Sequence, residues 1–107
     1  MAFDIGAVFK SMEGAVQGTV TTAWPQAQAI FEQFEQTNKQ TLADLANATI
    51  SGEMSADELK SYLADMKTTL QAQLLASEVM ALAVAQAAAN AALDVFWGAV
   101  SAAISII

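Results

Sequence analysis

The chain has no cysteine, no histidine, no arginine and a single proline in 107 residues. Without cysteine there can be no disulfide, no thiol nucleophile and no thiolate metal site. Without histidine the commonest general base is missing. The Glu-x-x-His half of a helical di-metal site is missing with it, so the carboxylate pair Glu32/Glu35 lacks the partners that would make it a metal centre. Positive charge is also scarce, with four lysines against eleven carboxylates and a net charge of −7. A nucleic-acid partner requires a cationic footprint and is therefore not expected. Attachment to an anionic bilayer through a basic amphipathic face is disfavoured for the same reason. Phosphate loops, zinc spacings and calcium loops are absent. The expectation is a protein that is not an enzyme and takes no cofactor and no metal.

What is present is apolar and helical. The hydrophobic fraction is 55%, above the roughly 45–50% usual for a globular domain. Five glycines leave few breaks, and strand-like alternation is not visible. These features predict one all-α domain over 1–107, with two shorter helices over about 3–22 and 25–50 and one long helix over 55–106. In the first, Phe3, Val8, Phe9, Met12, Val16 and Val20 fall near helical spacing. Gly14 and Gly18 make a G-x-x-x-G pair, a pattern that lets membrane helices approach closely, in a segment not apolar enough to span. The break at Ala23-Trp24-Pro25 uses proline in the first turn of the next helix. In that helix Ile30, Phe31, Phe34, Leu42, Leu45 and Thr49 form the apolar face, and Glu35/Lys39 is a favourable i,i+4 pair. Gly52 suits a left-handed stop. Ser55-Ala56-Asp57-Glu58 reads as a capping box, with Ser55 as N-cap and Glu58 at N3.

From Thr68 to Ile107 there are two acids, no base, and alanine at nearly a third of positions. A continuous helix from Ser55 onward would be a rod of roughly 75 Å, which two preceding helices cannot cover. A break near Asn90 or Gly98 is the alternative. At 100° per residue three faces sort out. Leu75, Val79, Leu82, Leu93, Phe96, Val100, Ile104 and Ile107 make a bulky face. Ala81, Ala85, Ala88, Ala92, Ala99 and Ala103 make a smooth one beside it. Gln86, Asn90, Asp94, Ser101 and Ser105 make a narrow polar stripe.

Small residues at four-residue spacing permit close backbone packing. The expectation is therefore a homo-oligomer, with Ala81, Ala85, Ala88 and Ala92 in close contact and Leu82, Leu93, Phe96 and Val100 supplying apolar burial. A closed monomer, with the alanine face on helix two, is the plainer alternative. Lipid is the other potential cover, although Val79 to Trp97 includes Gln86, Asn90 and Asp94, which a clean span would exclude. Glu78 and Asp94 are lone acids in apolar surroundings. They face water on a polar flank, or line a pore or pair across an oligomer.

The segments from Ile50-Ser51-Gly52-Glu53-Met54-Ser55 through Asn90-Ala91-Ala92-Leu93-Asp94-Val95-Phe96-Trp97-Gly98-Ala99-Val100-Ser101 resemble short alanine-rich helical proteins of unassigned function in bacterial and phage genomes. The resemblance covers about half of the chain. It implies a bacterial or viral source and carries over no catalytic or binding residue. Phe31-Glu32-Gln33-Phe34-Glu35-Gln36-Thr37-Asn38-Lys39 and Leu42-Ala43-Asp44-Leu45-Ala46-Asn47-Ala48 are similar in composition to phasins, the helical coats of polyester granules. The expected role is a structural, self-assembling component of a phage particle or a membrane-associated complex. A lipid- or granule-coating protein and a holin-like pore are the rivals. Met1-Ala2-Phe3-Asp4-Ile5 lacks the charged and apolar regions of a secretory signal, so synthesis without one is expected.

Overall fold

A computed structural model describes residues 3–78 and 80–106, except the side chains at 105 and 106. The fold is all-α. Among the described residues four α-helices, α1 Ile5–Val20, α2 Trp24–Ile50, α3 Ala56–Ala76 and α4 Leu82–Ile106, follow one another along the chain, and a 3-10 turn at Thr21–Ala23 joins the first two. The longest, α2, has 27 residues. At 1.5 Å rise that is about 40 Å, which matches the long dimension of the bundle, 41 × 22 × 20 Å.

Local sequence explains most of the boundaries. Asp4 caps α1, its carboxylate accepting from the Ala7 N–H at 3.1 Å. Pro25 lies in the first turn of α2, where its missing N–H is no loss. Gly52 takes φ +87° after α2, a conformation that glycine adopts without a Cβ clash. The expected capping box is present. The Glu58 N–H donates to Ser55 Oγ at 3.1 Å, and the Ser55 N–H donates to Glu58 Oε1 at 3.3 Å.

The helix expected over 55–106 is two helices, and the interruption falls at Ser77–Ala81, not near Asn90 or Gly98. Both Asn90 and Gly98 lie inside α4. Nothing in the local sequence demands a turn there, since no glycine or proline occurs between Gly52 and Gly98. The end of α3 tightens through bonds from the Ser77 N–H to the Leu74 carbonyl (3.2 Å) and from the Glu78 N–H to the Leu75 carbonyl (3.1 Å). Glu78 then takes φ +61°. A non-glycine residue in the left-handed region costs roughly 1–2 kcal/mol.

Tertiary packing supplies the reason for the turn. The buried residues of α3, Leu59, Leu63, Leu70 and Leu74, and those of α4, Ala85, Ala88, Ala89, Ala92, Leu93, Phe96 and Val100, belong to one core. In a straight helix both sets would face the same side along a rod that no neighbour here is long enough to cover. Folding back buries both. Leu93, Phe96 and Val100 are fully buried, and each contributes about 1.5–3 kcal/mol by leaving water. That sum outweighs one strained residue.

The rest of the core follows from helical spacing. Phe9, Met12, Val16 and Val20 from α1 share the core with Ala27, Phe31, Phe34, Leu42, Leu45 and Ala46 from α2. The rings of Phe9 and Phe31 lie 6.0 Å apart, and those of Phe31 and Phe34 lie 6.1 Å apart. Phe3 meets Phe96 edge-on at 6.0 Å. Thr49 is buried and satisfied, its hydroxyl donating to the Leu45 carbonyl at 2.8 Å. The alanines at 85, 88, 89 and 92 keep half of α4 thin against its neighbours, of which α1 is the most extensive.

The G-x-x-x-G pair makes no close helix approach, since a Cβ added at Gly14 or Gly18 would meet nothing within 4 Å. Both are exposed positions in a helix interior. Gly14→Ala and Gly18→Ala should therefore each stabilise the fold by about 0.5–1 kcal/mol, measured by chemical denaturation.

Candidate assembly surface

Two helices packed antiparallel present α3 and α4 as a hairpin on one side of the bundle. Of the residues expected to pack copies together, Ala85, Ala88, Ala92, Leu93, Phe96 and Val100 are fully buried inside the single chain. Only Ala81 and Leu82 are exposed. The expectation that the preceding helices cannot cover the last one is thereby corrected at three positions of its smooth face, Ala85, Ala88 and Ala92, and three of its bulky face, Leu93, Phe96 and Val100. The turn at 77–81 creates a fourth helix, and α1, α3 and α2 together cover the inner side of α4.

The outer side of α4 is small and polar. Gln86, Asn90 and Asp94 point to water, interspersed with exposed Ala83, Ala87, Gly98 and Ala102. Ser101 is half-buried and has a partner of its own. Val79, Ile107 and the side chain of Ser105 lie outside the described residues. The polar stripe thus lies on the outer surface of the closed bundle.

Asp94 accepts a hydrogen bond from Lys67 Nζ at 3.0 Å, an ion pair linking α4 to α3. Trp97 follows Asp94 by about one turn of α4, and Lys60 Nζ sits 5.0 Å from the centre of its ring. Between these pairs runs a cleft of about 250 Å³, lined by Lys60, Leu63, Ala64, Lys67, Leu93, Asp94 and Trp97. Half of the lysines of the chain are spent on this seam. Both pairs are solvent-exposed and contribute about 0.5–1 kcal/mol each at most. Sequence reading missed them. Lys60 and Lys67, seven positions apart on one helix, share a face, but their partners become visible only once α3 and α4 fold against each other. The expected Glu35/Lys39 pair is present on α2 at 3.9 Å.

A larger, open groove of about 580 Å³ lies between α1 and α2, with Asp4, Lys10, Glu13 and Glu35 on its walls. No group of three or more side chains suited to hold a metal ion comes together among the described residues. The large apolar side chains left exposed among them are Tyr62, Leu75, Leu82 and Ile104. Leu75 (39% exposed) and Leu82 (53%) flank the turn on either side. Glu78, at φ +61°, lies between them.

Comparison of the chain with protein-family models, with curated proteins and with solved structures finds no match.

The two roles of the hairpin separate under mutation. Ala88→Leu forces extra bulk into a closed core and should destabilise the folded chain by about 1–3 kcal/mol, read by denaturation at a concentration where the chain is monomeric. Lys67→Ala or Asp94→Ala should cost less than about 1 kcal/mol, and the loss should shrink as salt is added.

Proposed function

We propose that this chain is a non-enzymatic structural protein that self-assembles through the α3–α4 hairpin. The observation that carries the reading is the pair Leu75 and Leu82, large apolar side chains held in water at one end of a bundle that elsewhere buries its leucines. Scattered exposed leucines are ordinary. Two of them bracketing the one turn that the local sequence does not specify are a more particular feature. The residue types missing from the sequence support a role without chemistry, and the net charge of −7 suits a protein that must stay soluble before it assembles. A phage particle or a membrane-associated complex is the setting proposed, from the resemblance of the C-terminal half to short alanine-rich proteins of bacterial and phage genomes.

A second reading has one observation in its favour. The segment Leu82–Ile104 is long and apolar enough to cross a bilayer by length and composition, and only a third of its most apolar part is buried in the closed chain. A protein that coats lipid or a granule would open the bundle and lay this helix on the apolar phase. The ion pair at Asp94 and the exposed Gln86 and Asn90 weigh against it, because each would have to enter or skirt the lipid.

Sedimentation equilibrium over a concentration series, without lipid or detergent, tests the choice. Self-assembly predicts a discrete oligomer that Leu75→Ser with Leu82→Ser dissociates while helicity is kept. A chain that stays monomeric throughout contradicts it. A monomer that binds and unfolds onto neutral vesicles establishes the second reading instead.

A further inference from the structure

Accepting that the chain self-assembles, we infer that it does so by exchanging α4 between two copies, with Ser77–Ala81 as the hinge that straightens. Three independent observations meet at this turn. The first is sequence: no glycine or proline lies between Gly52 and Gly98, so nothing local opposes a continuous helix from α3 into α4. The second is backbone: Glu78 holds φ +61°, a conformation with a penalty that a helical Glu78 would not bear. The third is surface: Leu75 and Leu82, both exposed, are seven positions apart. In the closed chain they stand on either side of the turn. In a continuous helix they would stand on one face, two turns apart.

Straightening removes α4 from its own core and uncovers the faces of α1 and α3 that pack against it. The shape they leave is that of α4 itself, so the occupant of matching form is the α4 of a second copy doing the same. Such an exchange keeps every buried contact of the closed chain, because each core receives an identical helix. It changes three things. The left-handed residue becomes helical in both chains. The N–H groups of Ser77 and Glu78 exchange their tightened bonds for regular helical ones. Leu75 and Leu82 of the two long helices come together where the chains cross, and leave water. Opposing these is the entropy of bringing two chains together, so the balance between closed chain and dimer depends on concentration.

The distance across the hairpin decides the matter. The chain is naturally free of cysteine, so Ser61→Cys with Ala102→Cys places a unique pair of spin labels at two exposed positions, one on each helix. Labelled chains are assembled with an excess of unlabelled ones, so that only distances within a chain are read. In a continuous helix the two positions are about 60 Å apart at 1.5 Å per residue. In the closed bundle they cannot be, since its longest dimension is 41 Å. The expected result is a population near the long distance in the dimer fraction and a short distance in the monomer fraction. A dimer showing only the short distance overturns the exchange while leaving self-assembly intact. Absence of any dimer overturns both. Glu78→Gly gives a second readout. Glycine eases the left-handed turn and weakens the continuous helix in both chains, so dimer affinity should fall by at least about a hundredfold. An unchanged affinity contradicts the hinge.

Discussion

Covering the inner face of α4 with α1 is the constraint on which the rest of this structure depends. The last helix carries the most apolar stretch of the chain, and the first helix is its most extensive neighbour. They stand at opposite ends of the sequence, so their contact closes the ring of helices and fixes the other two between them. On its inner face alanine at 85, 88 and 92 and the larger Leu93, Phe96 and Val100 are all fully buried. To reach α1, α4 must reverse direction after α3. That requirement, and no local signal, places a left-handed residue at Glu78.

The same reversal decides what the outside of the protein looks like. With the bulky face turned inward, α4 presents Gln86, Asn90 and Asp94 to water, and Asp94 finds Lys67 on α3. The surface that results carries a net negative charge, and Tyr62, Leu75, Leu82 and Ile104 are the large apolar side chains exposed among the described residues. Under the proposed self-assembly, the exposed Leu75 and Leu82 beside the turn are the apolar surface that copies would share. On that proposal the turn at 77–81 would join the stability of the fold to its association.

Much of this was legible in the sequence. Proline at 25, glycine at 52 and the Ser55/Glu58 capping box mark two turns and two helix starts, each by side-chain chemistry acting over a few residues. The apolar faces of α1 and α2 follow from spacing, and Phe9, Met12, Val16, Phe31, Phe34, Leu42 and Leu45 are in the core as that spacing requires. The third turn was not legible, because Ser77, Glu78 and Met80 are all acceptable inside a helix and only long-range packing turns the chain there. That one omission propagated. A rod of roughly 75 Å has surface that a chain of this size cannot cover, so residues such as Ala88, Leu93 and Phe96 were assigned to contacts between copies although the closed chain buries them. The Lys67–Asp94 pair was hidden for the same reason, since its members would lie far apart on a straight helix.

Amide hydrogen exchange under native conditions tests most directly whether α1 and α4 hold the structure together as one unit. Mutual coverage requires that the core amides of the two helices exchange through a common, slow opening, and that a core substitution in either helix, such as Ala88→Leu, accelerates both by the same factor. If α4 remained protected while α1 exchanged freely, the inner face of α4 would be covered by something other than α1, and this account of the fold would be wrong.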